Sequence, residues 1–339
     1  MSRPRSKVRV VVLDGLDWVW CSRFADRCAP LWALAREGCA APLRACDIPI
    51  TPTGVGALLA GREVELSWSS DHYTSSQDLI RTRPWAHELA RYGLTVGLLN
   101  VPLTWPAFPL PSGSWVVSGF PVADVALRDP SRPWALPRGL DVLGYPIDAV
   151  VCDHGPGGTR DVAGLSAAEG EIVAWLRERA PPADVEVVWL RSTDGAGHHF
   201  WGAPEYDRAV AAACALLPLL REGTENLVVV SDHGFDALAA PRCETYRASS
   251  HGPPSAAAGL SGGHAMEGVL VAAGSAIHAR GALREQKLVE VAGGLFDLLG
   301  LPPPPGMISR GPAWASSLPA GSSDGGSVSA AMKRLGYLS

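Results

Sequence analysis

No stretch of the 339-residue sequence stays apolar long enough to cross a bilayer. The strongest early run, VRVVVLDGLDWVW from Val8, is broken by Asp14 and Asp17, whereas a spanning helix needs about 18 uninterrupted apolar residues. The run also lacks the small-residue cleavage site of a secretory signal, so a cytoplasmic protein is expected, without membrane attachment. Excess charge of one sign is missing too. With 29 basic and 34 acidic side chains the net charge is −5, no electrostatic footprint for a nucleic-acid polymer or an anionic membrane. The seven cysteines (21, 28, 39, 46, 152, 214 and 243) form no CxxC. The pairs Cys21/Cys28 and Cys39/Cys46, each seven positions apart, leave a thiolate zinc site open beside the plainer reading of reduced, buried thiols. Three nucleotide and hydrolase signatures are absent as well. GVGALL lacks the third glycine of a dinucleotide fingerprint, and there is neither a GxxxxGK[ST] loop nor a GxSxG elbow.

What is present is a core. Hydrophobic residues make up 47% of the chain and charged residues 19%, which excludes global disorder. Short β-branched runs at 8–13, 95–99, 115–117, 147–151, 185–190, 227–230 and 269–272 read as strands, and they are almost continuously apolar, as strands covered on both faces are. Helical patterns alternate with them at 29–37, 53–59, 84–92, 167–179, 204–221 and 283–299. The alternation predicts an α/β fold with a doubly wound, mostly parallel sheet and helices on both faces. Residues 1–300 read as a single domain, with irregular stretches at about 62–83 and 121–184 as a candidate small cap. Residues 236–263 read as a long loop, and the Pro/Gly/Ser-rich stretch 301–339 as a poorly packed tail.

In an open parallel sheet, ligands bind beyond the carboxyl ends of the strands. Asp14 stands where the first strand stops, in VVVLDG. VVWLRSTDGAGHHFW places Asp194 just past another strand with His198 four residues on, one turn away if a helix starts there. LVVVSDHGF adds Asp232 and His233, and GGHAMEGVLVAAG places His264 before a further strand, within reach if the preceding loop folds back. One Asp after a strand is ordinarily a turn or cap residue. Three Asp and three His on one rim are different, because clustered like charges are costly without a cation. Mixed carboxylate and imidazole donors suit Zn²⁺, with Mn²⁺ the alternative, and six donors are too many for one tetrahedral zinc, so two divalent metal ions are expected.

A nucleophile is found in IPITPTGVGALLAG. Thr51 precedes the helix, where free N–H groups favour an anion, and a metal contact would turn its weak hydroxyl into an alkoxide. It can equally be a plain N-cap ahead of Pro52, and Thr53 is the second candidate nucleophile.

In order and content these motifs resemble the alkaline phosphatase superfamily, and within it the type I phosphodiesterase/nucleotide pyrophosphatase family. VVVLDG is similar to that family's first metal-binding Asp segment and ITPTGVGALLAG to its threonine-nucleophile segment. STDGAGHHFW, SDHGF and GGHAMEGVLVAAG resemble its remaining metal segments, and NVPLTWPAFPLPSGSWVVSGF a stretch of bacterial members. The resemblance implies an alkaline-phosphatase-like fold, with Asp194, His198 and His264 on one metal and Asp14, Asp232 and His233 on the other. Thr51 would bind the second metal and attack phosphorus, giving a covalent phosphothreonine. Three Asp and two divalent ions leave the site about one unit positive, suited to a small phosphate ester, a nucleotide among the candidates.

The chain departs from the family at Gly54, three residues after Thr51, where many members carry a phosphate-binding Asn. Backbone N–H groups around Gly54, or Asn100 at a strand end, are the candidate replacements. A phosphomonoesterase or a phosphonate or phosphoryl-transfer enzyme of a biosynthetic pathway is the alternative, and an inactive metal-stabilised binding protein the alternative of another class. Arg62 is too far along the helix to supply a monoesterase's extra cation. Trp105, Phe200 and Trp201 are candidates for stacking on a base or for core packing. The Gly-rich stretch 153–161 is a candidate phosphate contact or a flexible loop, and His72, His87, His154, His199, His251 and His278 lack a strand-end partner.

Overall fold

The computed structural model describes residues 6–64, 79, 81–104, 110–119, 161–238, 240–242, 260–308 and 314–315. The expected strand at 147–151, Trp105, His72, His154, His251, Cys152, Cys243 and most of both candidate caps lie outside the described residues.

Among the described residues, strands form a nine-stranded sheet. Its centre is β1 (Ser6–Leu13), flanked in parallel by β5 (Val185–Leu190) and β6 (Thr224–Val230). Beyond β5 lie β3 (Val96–Val101) and β4 (Trp115–Ser118), also parallel. Alternate residues of β1 serve two separate cores, because successive side chains point to opposite faces. Val11 and Leu13 join one core with α1 (Trp18–Arg23), α2 (Ala29–Glu37) and α5 (Val162–Glu178), to which α7 (Pro204–Ala215) and α8 (Leu217–Arg221) also contribute. Val8, Val10 and Val12 join the other, under α3 (Thr51–Ala60), α4 (Trp85–Arg91) and α9 (Val291–Leu298). Helices therefore cover both faces, as the alternation predicts.

The other half of the sheet is where expectation and structure part. β2 (Cys39–Arg44) is a strand despite the sequence Ala-Ala-Pro at its centre. It pairs with the short edge strands β10 (Gly281–Ala282) at Cys39 and Ala40 and β11 (Gln286–Lys287) at Leu43 and Arg44. Pro42 falls in the gap between them, where its missing N–H breaks no ladder bond on that side. β9 (Glu267–Gly274) runs antiparallel to both β6 and β2. The chain leaves β6 at the rim, forms β7 (Gly234–Ala237), returns as its antiparallel partner β8 (Gly262–Ala265) and then descends as β9. A connection that stays at one rim leaves an antiparallel strand as the way back down.

Three expected helices shift. The segment 204–221 breaks after Ala215, because the ring of Pro218 cannot sit against the carbonyl a turn earlier. The segment 283–299 begins as β11 and becomes α-helical only at Val291. α5 starts at Val162, capped by Asp161, whose carboxylate accepts from the Gly164 N–H at 2.8 Å. The stretch read as a tail is fixed at its start, where Met307 and Ile308 pack on the second core and Trp314 is fully buried.

Cys21, Cys28, Cys39, Cys46 and Cys214 are free and buried. Among the described residues, no helix is long and apolar enough to cross a membrane.

At the end of the sheet away from the Asp14 rim, Arg9 donates to the neighbouring Glu186 at 2.6 and 2.8 Å, and both are buried. Replacing Arg9 with Ala leaves a buried carboxylate without its cation. The expected cost is about 3–5 kcal/mol, read as a fall in the urea midpoint; a loss below about 1 kcal/mol would show the pair to behave like an exposed one.

Candidate active site

Each chemically distinctive residue comes to the rim for a local reason. Asp14 directly follows β1, its N–H donating to the Leu190 carbonyl at 2.8 Å, and the chain then turns sharply at Gly15. That glycine has φ of +68°, and a Cβ there would meet the Phe235 ring at 2.6 Å. α6 (Ser192–Phe200) starts directly after β5, so Asp194 and His198 do fall one turn apart on one face. Asp232 and His233 follow β6, and His264 lies in β8 opposite Phe235. Because β9 is antiparallel, its amino end lies at the rim formed by the carboxyl ends of β1, β5 and β6. The antiparallel return of the chain from β7 to β8 brings His264 there, the fold-back that its position in the sequence requires.

The donors converge. His233 Nε2 is 3.4 Å from Asp14 Oδ1, 3.5 Å from Asp232 Oδ2 and 3.9 Å from Asp194 Oδ1. His264 Nε2 is 3.4 Å and His198 Nε2 3.5 Å from that same Asp194 oxygen, and these two nitrogens are 3.1 Å apart. Asp14, Asp232 and His233 form one group able to hold a metal ion, and Asp194, His233 and His264 another, with His233 shared. His198 adjoins the second group.

Partners outside the cluster orient these rings. The Nδ1–H of His264 donates to the Pro49 carbonyl at 2.7 Å and that of His233 to the Gly234 carbonyl at 3.1 Å, which turns both Nε2 atoms toward the carboxylates. Trp189 Nε1 donates to Asp14 Oδ2 at 2.8 Å, leaving Oδ1 for the cluster. Phe235 packs beneath all three imidazoles, its centroid 5.0, 5.7 and 5.1 Å from His198, His233 and His264. On α5, the buried carboxylate of Glu169 accepts from the N–H groups of Arg191 and Ser192 at 2.5 and 2.8 Å and from the Ser192 hydroxyl at 2.6 Å. It thus caps α6 from another helix. None of Trp189, Phe235 and Glu169 is signalled locally in the sequence, since each acts across the fold.

The electrostatics show a cluster short of positive charge. Burial, then the neighbouring Asp14, pushes the Asp232 carboxyl well above its usual range. Burial opposes charge on His233, but Asp232 and Asp14 outweigh it and raise that imidazolium to about 10. Burial, with the charge on His233, pulls His264 down to about 3. Asp232 Oδ2 and His233 Nε2 are buried without a hydrogen bond. Carboxylate oxygens and imidazole lone pairs aimed at common points fit divalent cations.

Thr51 opens α3, and its hydroxyl donates to Asp14 Oδ1 at 3.5 Å. The N-cap is Ile50, so Thr51 is not spent as a cap. Thr53, the other candidate, donates to the carbonyls of Ile48 and Ile50 and is committed to the backbone. Two expected substrate contacts already hold a bond within the protein. The Gly54 N–H donates to the Ile50 carbonyl at 3.1 Å, and the Asn100 amide donates to the Trp189 carbonyl at 2.9 Å. Gly54 has a different reason to be glycine: a Cβ there would lie 2.6 Å from Asp232 Cβ. Trp201 stacks on Phe235 and tilts against Tyr206, and Phe200 packs on the same core. His278 is exposed, His87 faces the Pro84 carbonyl, and His199 adjoins Phe200 rather than the cluster.

A two-faced α/β sheet bearing three carboxylates, three imidazoles and a helix-terminal hydroxyl on one rim is an alkaline-phosphatase-like architecture. Solved structures agree on the fold. Murine ectonucleotide pyrophosphatase/phosphodiesterase 5, an inactive variant in complex with AMP, is 15% identical, with a TM-score of 0.53 over 88% of this chain and 96% of that one. The human form is 14% identical with a TM-score of 0.51 over the same shares. Phosphonoacetate hydrolase from Sinorhizobium meliloti 1021, in complex with phosphonoacetate, is 17% identical, with a TM-score of 0.50 over 70% of this chain and 58% of that one. No curated protein sequence matches.

The type I phosphodiesterase / nucleotide pyrophosphatase family matches residues 67–250, and the chain belongs to it. It is an enzyme, a hydrolase acting on phosphate ester bonds. The matched span holds Asp194, His198, Asp232 and His233, whereas Asp14, Thr51 and His264 lie outside it and meet the others only in the folded chain.

Gly54→Ala should still fold, its overpacking against Asp232 costing about 1–3 kcal/mol against a gain in helix propensity of up to about 1 kcal/mol. It should nonetheless cut kcat/KM for bis-p-nitrophenyl phosphate roughly 10²-fold by displacing Asp232. Wild-type turnover in a folded Gly54→Ala protein would mean that the carboxylate's position is not critical.

Proposed function

We propose that this enzyme cleaves a phosphodiester or a nucleotide pyrophosphate bond by way of a covalent phosphothreonine at Thr51. Asp194, His198 and His264 would hold one divalent cation and Asp14, Asp232 and His233 the other, Zn²⁺ being the better match to the donors and Mn²⁺ the alternative. Such cations, when bound, lower the pKa of a coordinated hydroxyl and neutralise charge on a transferring phosphoryl group. The observation that carries the reading is the Thr51 hydroxyl, 3.5 Å from Asp14 Oδ1, at the edge of converging imidazole nitrogens.

The residues divide the work. Thr51 Oγ1 forms a bond to phosphorus as the ester oxygen opposite it departs with a proton. Water then attacks the phosphothreonine, the Thr51 oxygen leaves, and the hydroxyl is restored. The first intrahelical bond of α3 runs from the Gly54 N–H to the Ile50 carbonyl, so the N–H groups of Thr51 and Thr53 precede the ladder. With Pro52 contributing none, these two groups and the helix dipole orient a phosphoryl oxygen. They take the place of the side chain that Gly54 cannot carry. Three imidazoles kept neutral and three carboxylates leave a loaded rim slightly positive, which draws in a small anionic ester such as a nucleotide.

Thr51→Ala should lose at least about 10³-fold in kcat for bis-p-nitrophenyl phosphate, as removal of a nucleophile does. Chelation should abolish wild-type turnover, and acid quenching during turnover of a ³²P-labelled diester should leave label on Thr51. Retained activity in Thr51→Ala, or label elsewhere, would contradict the mechanism. Preference for p-nitrophenyl phosphate or phosphonoacetate over the diester would keep the machinery but move the substrate to a monoester or a phosphonate.

A further inference from the structure

Three separate segments carry Asp14, Asp232–His233 and His264, and one side chain outside the cluster touches all of them. Arg242 Nη2 donates to Asp17 Oδ2 at 2.9 Å and to Glu267 Oε2 at 2.6 Å. Its Nε donates to that same Glu267 oxygen at 3.0 Å, and Nη1 to Asp236 Oδ2 at 3.4 Å. The placement of the three acceptors is regular. Asp17 stands three residues past Asp14, Asp236 three past His233 and Glu267 three past His264.

This is no loose surface pair. The Asp17 side chain is 1% exposed, and it spends its other bonds on the same join. Oδ1 accepts the Trp20 N–H at 2.7 Å, capping α1, and Oδ2 accepts the Phe235 N–H at 3.3 Å. Phe235 in turn lies under the three imidazoles. A planar guanidinium with several fixed donors can bridge three carboxylates at set angles, which a single ammonium cannot.

We propose that Arg242 is a positioning residue, which locks the segments after β1 and β6 and the β8–β9 junction at the spacing where their metal-ligating side chains meet. It touches neither the cluster nor Thr51 and acts through Asp17, Asp236 and Glu267. The proposal rests on the cation-binding reading given above, and its consequence is written in the metal affinity of a folded protein. Loss of a partner bonded directly to a ligand weakens metal binding about 10- to 100-fold, and a residue set one bond further out acts at the lower end of that range.

The test uses the full-length chain, with Zn²⁺ alone titrated against a chromophoric chelator, kinetics on bis-p-nitrophenyl phosphate, and amide exchange in the metal-free protein. Arg242→Gln should bind Zn²⁺ about 10-fold more weakly, the lower end of the range for partners bonded directly to a ligand. It should lower kcat with KM nearly unchanged and speed exchange of the Phe235 amide. Arg242→Lys should recover part of each effect, and Arg208→Gln, which removes an exposed ion pair to Glu205, should change none. Wild-type Zn²⁺ affinity together with a protected Phe235 amide in Arg242→Gln overturns the proposal. If Arg242→Gln does not fold, Glu267→Gln removes one arm and should show the same changes, smaller; wild-type values there overturn it equally. A wild-type chain that takes up no Zn²⁺ sinks the cation reading instead, and the Phe235 amide in the variants still decides the clamp.

Discussion

Three carboxylates, those of Asp14, Asp194 and Asp232, are buried together at one rim of the sheet, and their mutual repulsion is the constraint that the surroundings answer. Buried like charges are tolerated only where positive charge or directed donors meet them. The protein supplies some of each: the indole N–H of Trp189 on Asp14, the Gly15 N–H facing Asp232 at 3.4 Å, and charge on His233 between them. What these leave uncompensated is the measure of the cluster's capacity for cations. The same deficit explains why the outer layer is so thoroughly fastened, with Pro49 and Gly234 holding rings and Glu169 holding a helix end.

The geometry that gathers the cluster is set by the sheet rather than by any loop. Parallel β1, β5 and β6 deliver their carboxyl ends to one side, and antiparallel β9 delivers its amino end there. β2, antiparallel to β9, also finishes at that rim and leads through residues 45–50 into α3, which brings Thr51 across from Asp14. The backbone therefore places the hydroxyl and the carboxylates before any side chain is chosen. Glycine at 15 and 54 lets Phe235 and Asp232 approach as closely as they do.

Much of this was legible in the sequence, for an identifiable reason. A β-branched run that stops at or a few residues before an Asp reads as a strand end, which places Asp14, Asp194 and Asp232 at one rim, and the i, i+4 spacing carries His198 with them. Less visible was whatever depends on partners remote in the chain. β2 hides behind Ala-Ala-Pro because its strand character comes from β9 and not from its own residues. The direction of β9 follows from the β7–β8 pairing, whose strands straddle the two ends of the stretch 236–263 that reads locally as loop. Trp189, Glu169 and Arg242 gain their roles from contacts that no local pattern announces. Asn100 and Gly54 stand out as phosphate donors by position, but their bonds to the Trp189 and Ile50 carbonyls depend on partners that no local pattern shows.

Anomalous diffraction at the zinc edge, from crystals of the full chain grown with Zn²⁺, bears most directly on the central claim. The account predicts two peaks per chain, one between Asp194, His198 and His264 and one between Asp14, Asp232 and His233, with the Thr51 hydroxyl turned toward the second. A rim without peaks, its imidazoles engaged with the carboxylates alone, or a Thr51 hydroxyl turned away into packed protein, would contradict it.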